Sequence, residues 1–298
     1  MLNSNPRFGR LITAMVTPFD ANLELDLPRA QELADRLVNG GTDAIVVNGT
    51  TGECPTVFYP NKIELFKAVV SAVDGRGPVI ANVGDNCTAD SVSFAKDVEK
   101  LGVDGFMCVV PYYNKPPQEG MYAHFAAIAQ AVDTPIVLYN IPGRCVVNMK
   151  AETTLRLAHD FENIVAVKEA SGNLDQVAQI TAAAPEGFFV YSGDDSLTLD
   201  IMDRGGVGVI STISNVAPAR MKEIIDLYVA GNIEAARAAN EALLPLMNGL
   251  FETSNPILVK EALKLVGFPV GGVRLPLVDA SEEQSARLAQ IMRQVGVL

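Results

Sequence analysis

"IVAVKEASGNLDQVAQITAAAPEGFFVYS", residues 164–192, sets two short apolar runs, 164–167 and 188–192, on either side of a segment whose apolar residues recur three and four apart. A run that stays apolar residue after residue reads as a strand buried on both faces, because a half-exposed strand would alternate. The segment between reads as an amphipathic crossover helix. A strand, a crossover helix and a second strand of this kind lie with the strands parallel.

The same unit repeats in both directions. Upstream stand "LITAMV" from Leu11, "AIVVN" from Ala44, "PVIANV" from Pro78, "GFMCVV" from Gly105 and "PIVLYN" from Pro135; downstream stands "VGVIS" from Val207. With the two runs quoted first, that makes eight. A weak echo accompanies them: "VNGGTDAIVVN", "EKLGVDGFMCVV" and "MDRGGVGVIS" put glycine where a helix ends and a strand begins, a position that favours the left-handed cap. From about Ala217 no strand-like run follows. "EAARAANEALLPLMNGLF", "NPILVKEALKLV" and "SEEQSARLAQIMRQV" read as helices, the second opened by Asn255 and Pro256, the third by Ser281 with two glutamates in its first turn. The expected fold is α/β, a (β/α)8 TIM barrel with a C-terminal helical extension; a doubly wound open sheet is the alternative. Residues 1–216 would carry the strands and most helices, residues 217–298 the last barrel helix and the extension, within one structural unit and with no low-complexity linker.

Bulk properties narrow the function. Of 298 residues, 35 are acidic and 23 basic, which repels phosphate backbones and anionic lipid, so neither nucleic acid nor a membrane surface is an expected partner. No apolar stretch reaches the length of a membrane span, and the N-terminal one is too short for a signal sequence. Cys54, Cys87, Cys108 and Cys145 lie far apart without CxxC spacing, arguing against a disulfide framework and a zinc site and fitting the cytoplasm. His124 and His159 have no ligand-spaced partners and read as structural or solvated. No metal is expected.

In such a barrel the chemistry stands at the C-terminal ends of the strands. Strand two runs into "NGTTGE" (48–53), strand four into "PYYN" (111–114), strand five into "YNIPGR" (139–144), strand six into Lys168, and strand seven into "SGDD" (192–195). Lys168 has two readings. It is a strand end reaching water or Glu169, or it is a desolvated amine that attacks a ketone as a nucleophile. Tyr139, one repeat earlier, is either a hydrogen-bonded rim residue or a proton-transfer group beside the amine. Thr50 and Thr51 belong to a tight turn whose N–H and hydroxyl groups suit a carboxylate; no GxxxxGK is present. The Arg144 fork suits a second carboxylate, or a salt bridge to Asp194 or Asp195. Those aspartates also read as an ordinary helix N-cap.

Taken in order, "GTTGE", "PYYNKP", "LYNIPGR", "VKEASGN" and "SGDD" resemble the dihydrodipicolinate synthase family, class I aldolase-like lyases of bacterial lysine and diaminopimelate synthesis, from about Arg10 to the C-terminus. The resemblance implies a (β/α)8 barrel, a homotetramer built as a dimer of dimers, and condensation of pyruvate with L-aspartate 4-semialdehyde to 4-hydroxy-tetrahydrodipicolinate. It implies no cofactor beyond a covalent imine on Lys168. By the same resemblance Tyr139 is the central proton-transfer group, and Thr50 links it to Tyr113, which comes from the neighbouring subunit. Thr51 holds the pyruvate carboxylate, Arg144 that of the semialdehyde, and Gly193 and Ile210 give backbone contacts near the lysine. The alternative within the same family is a sugar-acid aldolase or lyase of the N-acetylneuraminate or 2-keto-3-deoxygluconate type, which keeps the lysine without needing Arg144.

Cys145 and Cys54 depart from the usual pattern, which has threonine after the arginine and serine after "GTTGE". The resemblance also places an allosteric lysine site at Cys54, Pro55, Tyr59, Lys62, Asn86, Asp90 and Tyr112. Lys62 puts a cation where a cationic effector would bind, so free lysine is expected to inhibit weakly or not at all; strong inhibition by low lysine in a steady-state assay would refute this.

Overall fold

The computed structural model describes residues 5–298. Each apolar run becomes a short strand: β1 (Leu11–Ala14), β2 (Ala44–Val47), β3 (Val79–Asn82), β4 (Gly105–Val109), β5 (Ile136–Asn140), β6 (Ile164–Glu169), β7 (Phe189–Ser192) and β8 (Gly208–Ser211). They follow one another in chain order around a closed barrel, which excludes the open doubly wound sheet. A helix follows each strand, and further helices close the chain. The two faces of every strand are therefore covered, as the unbroken apolar runs require.

By contact density the chain groups into two compact units, one of residues up to Arg10 with Pro78–Ile210, the other of Leu11–Gly77 with Ser211–Leu298. In the first, β3 to β8 pair in parallel, neighbour to neighbour. Its lower edge is tied by Arg10, whose guanidinium donates to the Val207 carbonyl at 2.9 Å, and by the Tyr191 hydroxyl, which donates to the Gly9 carbonyl at 2.8 Å. Gly102 and Gly205, in two of the glycine echoes, take positive φ of 78° and 91°, the helix-terminating conformation expected of them.

In the second unit β1 pairs with β2, and the helix Leu27–Asn39 buries Ala30, Leu33, Ala34 and Leu37, one face at three- and four-residue spacing. Asp26 caps it through the Arg29 N–H. The extension comprises the helices Ile233–Gly249, Ile257–Leu265 and Glu282–Gln294, after the barrel helix Pro218–Val229. Ser281 opens the last one as expected, and with Gln284 it forms a reciprocal capping box. The helix from Ile257 differs from expectation: Asn255 does not cap it, because its side chain reaches Thr51 instead. Among the described residues, no helix is long and apolar enough to cross a membrane.

Candidate active site

Strand pleating sends successive side chains to opposite faces. Tyr139 stands opposite Lys168 in the β5–β6 register, and Asn140 stands opposite Glu169. The first pair shares one face and the second pair the other. The register advances by one residue between Ile136 and Val137, whose partners are Ile164 and Ala166, so Val165 is an extra residue in β6. It is the one residue of the strand that is only half-buried.

Lys168 is 6% exposed, and its Nζ lies over the Tyr139 ring, 4.5 Å from the centroid. Burial drives its pKa down to about 8; the Asp195 carboxylate opposes the shift and the Arg144 guanidinium adds to it. Lys168 is not a surface strand end. Nor does it face Glu169, whose carboxylate accepts hydrogen bonds from Asn140 Nδ2 at 3.1 Å, Gln176 Nε2 at 2.9 Å and the Ser171 N–H at 2.9 Å. A buried amine short of compensation, with a phenol ring against it, is the arrangement a nucleophilic lysine needs.

The amides around Glu169 continue into the loop that carries Arg144. Asn140 Nδ2 donates to Asn148 Oδ1 at 2.7 Å, and its Oδ1 accepts from the Met149 N–H at 3.0 Å; Asn148 Nδ2 donates to Gln176 Oε1 at 2.8 Å. The short helical turn Pro142–Cys145 is thus held on both sides, with the Arg144 side chain exposed. Cys145 is buried under it, and burial pushes its thiol up to about 11, leaving a protonated space-filler rather than a nucleophile. Nothing in the sequence singles out Asn148 and Gln176. They lie 21 residues or fewer from Glu169 on the far side of two loops, and no local spacing marks them as its partners.

"GTTGE" lies in the other unit. Asn48 and Glu53 both take left-handed backbone conformations, φ 59° and 55°, and the turn between them closes through Gly52 N–H to Gly49 O at 3.0 Å and Glu53 N–H to Thr50 O at 3.1 Å. A Cβ at Gly52 would come within 2.9 Å of Asn48 Cα, so the turn needs glycine there. Thr17 Oγ1 donates to the Gly52 carbonyl at 2.6 Å. Thr51 is buried and Thr50 half-buried. Glu53 is 3% exposed and ion-paired with the equally buried Lys260 at 2.6 Å.

The remaining sequence candidates separate clearly. Gly193 donates its N–H to the Glu169 carbonyl at 2.8 Å, and a Cβ on it would fall 2.5 Å from that of Ala170; Ile210 is buried at the end of β8. Asp194 does cap the turn that follows β7, accepting from the Ser196 N–H at 2.9 Å, whereas Asp195 is buried and acts electrostatically on Lys168. Tyr113 is 88% exposed on a left-handed backbone, φ 73°. Asn86 and Tyr112 meet, Nδ2 to carbonyl at 3.1 Å, while Asp90 is exposed in the first turn of the helix Thr88–Glu99 and Lys62 lies in the other unit. His124 is buried against Thr88, and burial drives it down to about 4; His159 is exposed at a helix end.

Comparison with known proteins identifies the family. The profile of the Dihydrodipicolinate synthetase family matches residues 7–295. A 4-hydroxy-tetrahydrodipicolinate synthase of Symbiobacterium thermophilum is 52% identical over 293 residues, 98% of this chain and 100% of that protein. The crystal structure of DHDPS from Cyanidioschyzon merolae with lysine bound superposes with a TM-score of 0.96 at 48% identity, covering 98% of this chain and 99% of that one. A monomeric dihydrodipicolinate synthase variant superposes with a TM-score of 0.95 at 43% identity, covering 97% of each chain.

Proposed function

The chain belongs to the dihydrodipicolinate synthetase family, and on that premise we propose that it is a lyase with 4-hydroxy-tetrahydrodipicolinate synthase activity, joining pyruvate to L-aspartate 4-semialdehyde on Lys168. The observation that carries the reading is the buried Lys168 amine set over the Tyr139 ring at 4.5 Å. The neutral amine attacks the ketone carbon of pyruvate, and loss of water leaves an imine. The imine nitrogen accepts the electron pair released when a methyl proton departs, which makes the methyl carbon a nucleophile. That enamine adds to the aldehyde carbon of the second substrate. The substrate's own amine then displaces Lys168 as the ring closes, so the lysine leaves unchanged and no cofactor is consumed.

Each proton in this sequence needs a group that both gives and takes it, and Tyr139 is assigned that role. Thr50 connects Tyr139 to Tyr113, and the exposure of Tyr113 in its own chain supports its delivery to a neighbouring subunit's site. Thr51 holds the pyruvate carboxylate, with Gly193 and Ile210 supplying backbone contacts. A dimer is then the minimal complete enzyme, and the homotetramer is its doubled form. Arg144, exposed on a loop braced by Asn140 and Asn148, takes the carboxylate of the semialdehyde by a paired hydrogen bond.

Trapping with pyruvate and borohydride, followed by mass mapping, should place the adduct on Lys168; an adduct elsewhere, or none, overturns the imine. Turnover with the semialdehyde should exceed that with sialic and keto-deoxy sugar acids. In Arg144→Ala the KM for the semialdehyde should rise about 30-fold or more while pyruvate trapping persists, as expected for loss of a charge-assisted bidentate contact. An equal loss for both substrates would refute the assignment of Arg144.

A further inference from the structure

We propose that Asn255, in the C-terminal extension, is a positioning residue for pyruvate: its amide donates to the Thr51 hydroxyl oxygen, which leaves that hydroxyl's single proton for the substrate carboxylate. The inference rests on the reading that Thr51 binds that carboxylate. Asn255 Nδ2 lies 2.9 Å from Thr51 Oγ1, and the residues are 6% and 3% exposed. A hydroxyl has one proton and two lone pairs. Once Asn255 has taken a lone pair, the hydroxyl turns its proton elsewhere, and among the described residues the bond from Asn255 is the only one Thr51 Oγ1 makes. A buried donor without an acceptor is costly, so the place is set for an acceptor that arrives with a ligand. The N–H groups of Thr50 and Thr51 likewise take no part in the hydrogen bonds that close the turn.

The extension is fixed to the turn by a second, stronger tie. Five residues after Asn255, Lys260 pairs with Glu53 at 2.6 Å, donates to the Gly272 carbonyl at 2.7 Å and sits 4.1 Å above the Phe19 ring centroid. The other Glu53 oxygen accepts from the Arg274 N–H at 2.9 Å, and the Arg274 guanidinium donates to the Thr56 carbonyl at 2.7 Å. Burying an ion pair gains little stability over apolar packing, but it sets register firmly, because neither charge tolerates a changed partner. Glu53 ends the turn and Lys260 lies one helical turn past the start of its helix, so the pair fixes the spacing at which Asn255 meets Thr51.

The test measures steady-state constants in the full-length protein. Asn255→Ala should raise the pyruvate KM about tenfold, the worth of one hydrogen bond, with kcat and the semialdehyde KM within about twofold of wild type. In a Thr51→Val background the same substitution should add less than about twofold, since it acts only through that hydroxyl. Asn255→Asp keeps the shape but accepts instead of donating, so it should raise the pyruvate KM further than alanine does, and it supplies the reading if the alanine variant does not fold. Equal rises in both KM values, additivity with Thr51→Val, or a normal pyruvate KM in Asn255→Asp each overturns the proposal. If Thr51→Val itself leaves the pyruvate KM unchanged, the assignment of Thr51 is what fails; if it raises KM while Asn255→Ala does not, the assignment stands and this inference falls.

Discussion

Replacing Lys168 by methionine should lower turnover by at least about 10⁴-fold while raising the thermal unfolding midpoint by several degrees. The first effect follows from the loss of the amine proposed to form the covalent bond with pyruvate. The second follows from burial. An amine whose pKa falls from the ordinary 10.5 to about 8 on folding costs the folded chain about 3 kcal/mol at neutral pH, where both states are protonated. The folded state releases its proton first as pH rises, so the unfolded state binds more protons between about 8 and 10.5 and stability increases across that window. Methionine carries no such cost at any pH, so its advantage should be largest below pH 8 and vanish above about 10.5. Differential scanning calorimetry of the two proteins at pH 7 and pH 10 checks the sign. A variant less stable than wild type at pH 7 would contradict the desolvated amine, as would a measured rate of adduct formation that does not rise through pH 8.

Tyr139→Phe should reduce kcat by about 10²- to 10³-fold, the usual worth of a positioned proton-transfer group. The ring and its packing against Lys168 survive this change, and only the hydroxyl is lost. Borohydride trapping should therefore still label Lys168, more slowly than in wild type. A kcat within about fivefold of wild type would remove Tyr139 from the proton path, and complete loss of labelling at long times would mean that the hydroxyl is needed to build the site.

The barrel was legible because its strands are buried on both faces: runs such as "PIVLYN" and "IVAVK" admit no polar residue until the point where the strand ends. The same rule exposed Lys168 and Tyr139, since a titratable residue at the edge of a buried run stands out by type alone. The supporting residues were not legible. Asn255 looks like a helix opener beside Pro256, and only the folded chain brings it across 204 residues to Thr51. Lys260 sits in an amphipathic segment where a lysine reads as solvated, yet it is 3% exposed because Glu53, a residue of the distant turn, meets it. In the sequence Glu169 reads only as a partner for its neighbour Lys168, and pleating forbids that partnership. Local pattern reports burial and turn chemistry, whereas the pairing of buried polar groups across the chain depends on closure of the fold.

The extra residue Val165 makes the placement of Lys168 a matter of parity. Were Val165 paired in ordinary register with Val137, the count from Ile136 and Ile164 would set Val167 against Tyr139 and Lys168 against Asn140, turning Lys168 to the face that Asn140 occupies and leaving an aliphatic side chain beside the phenol. Transplanting a reactive lysine into another eight-stranded barrel therefore means carrying over an odd or even number of residues as well as a sequence, because an amine introduced with the wrong count faces the helices whatever its neighbours are.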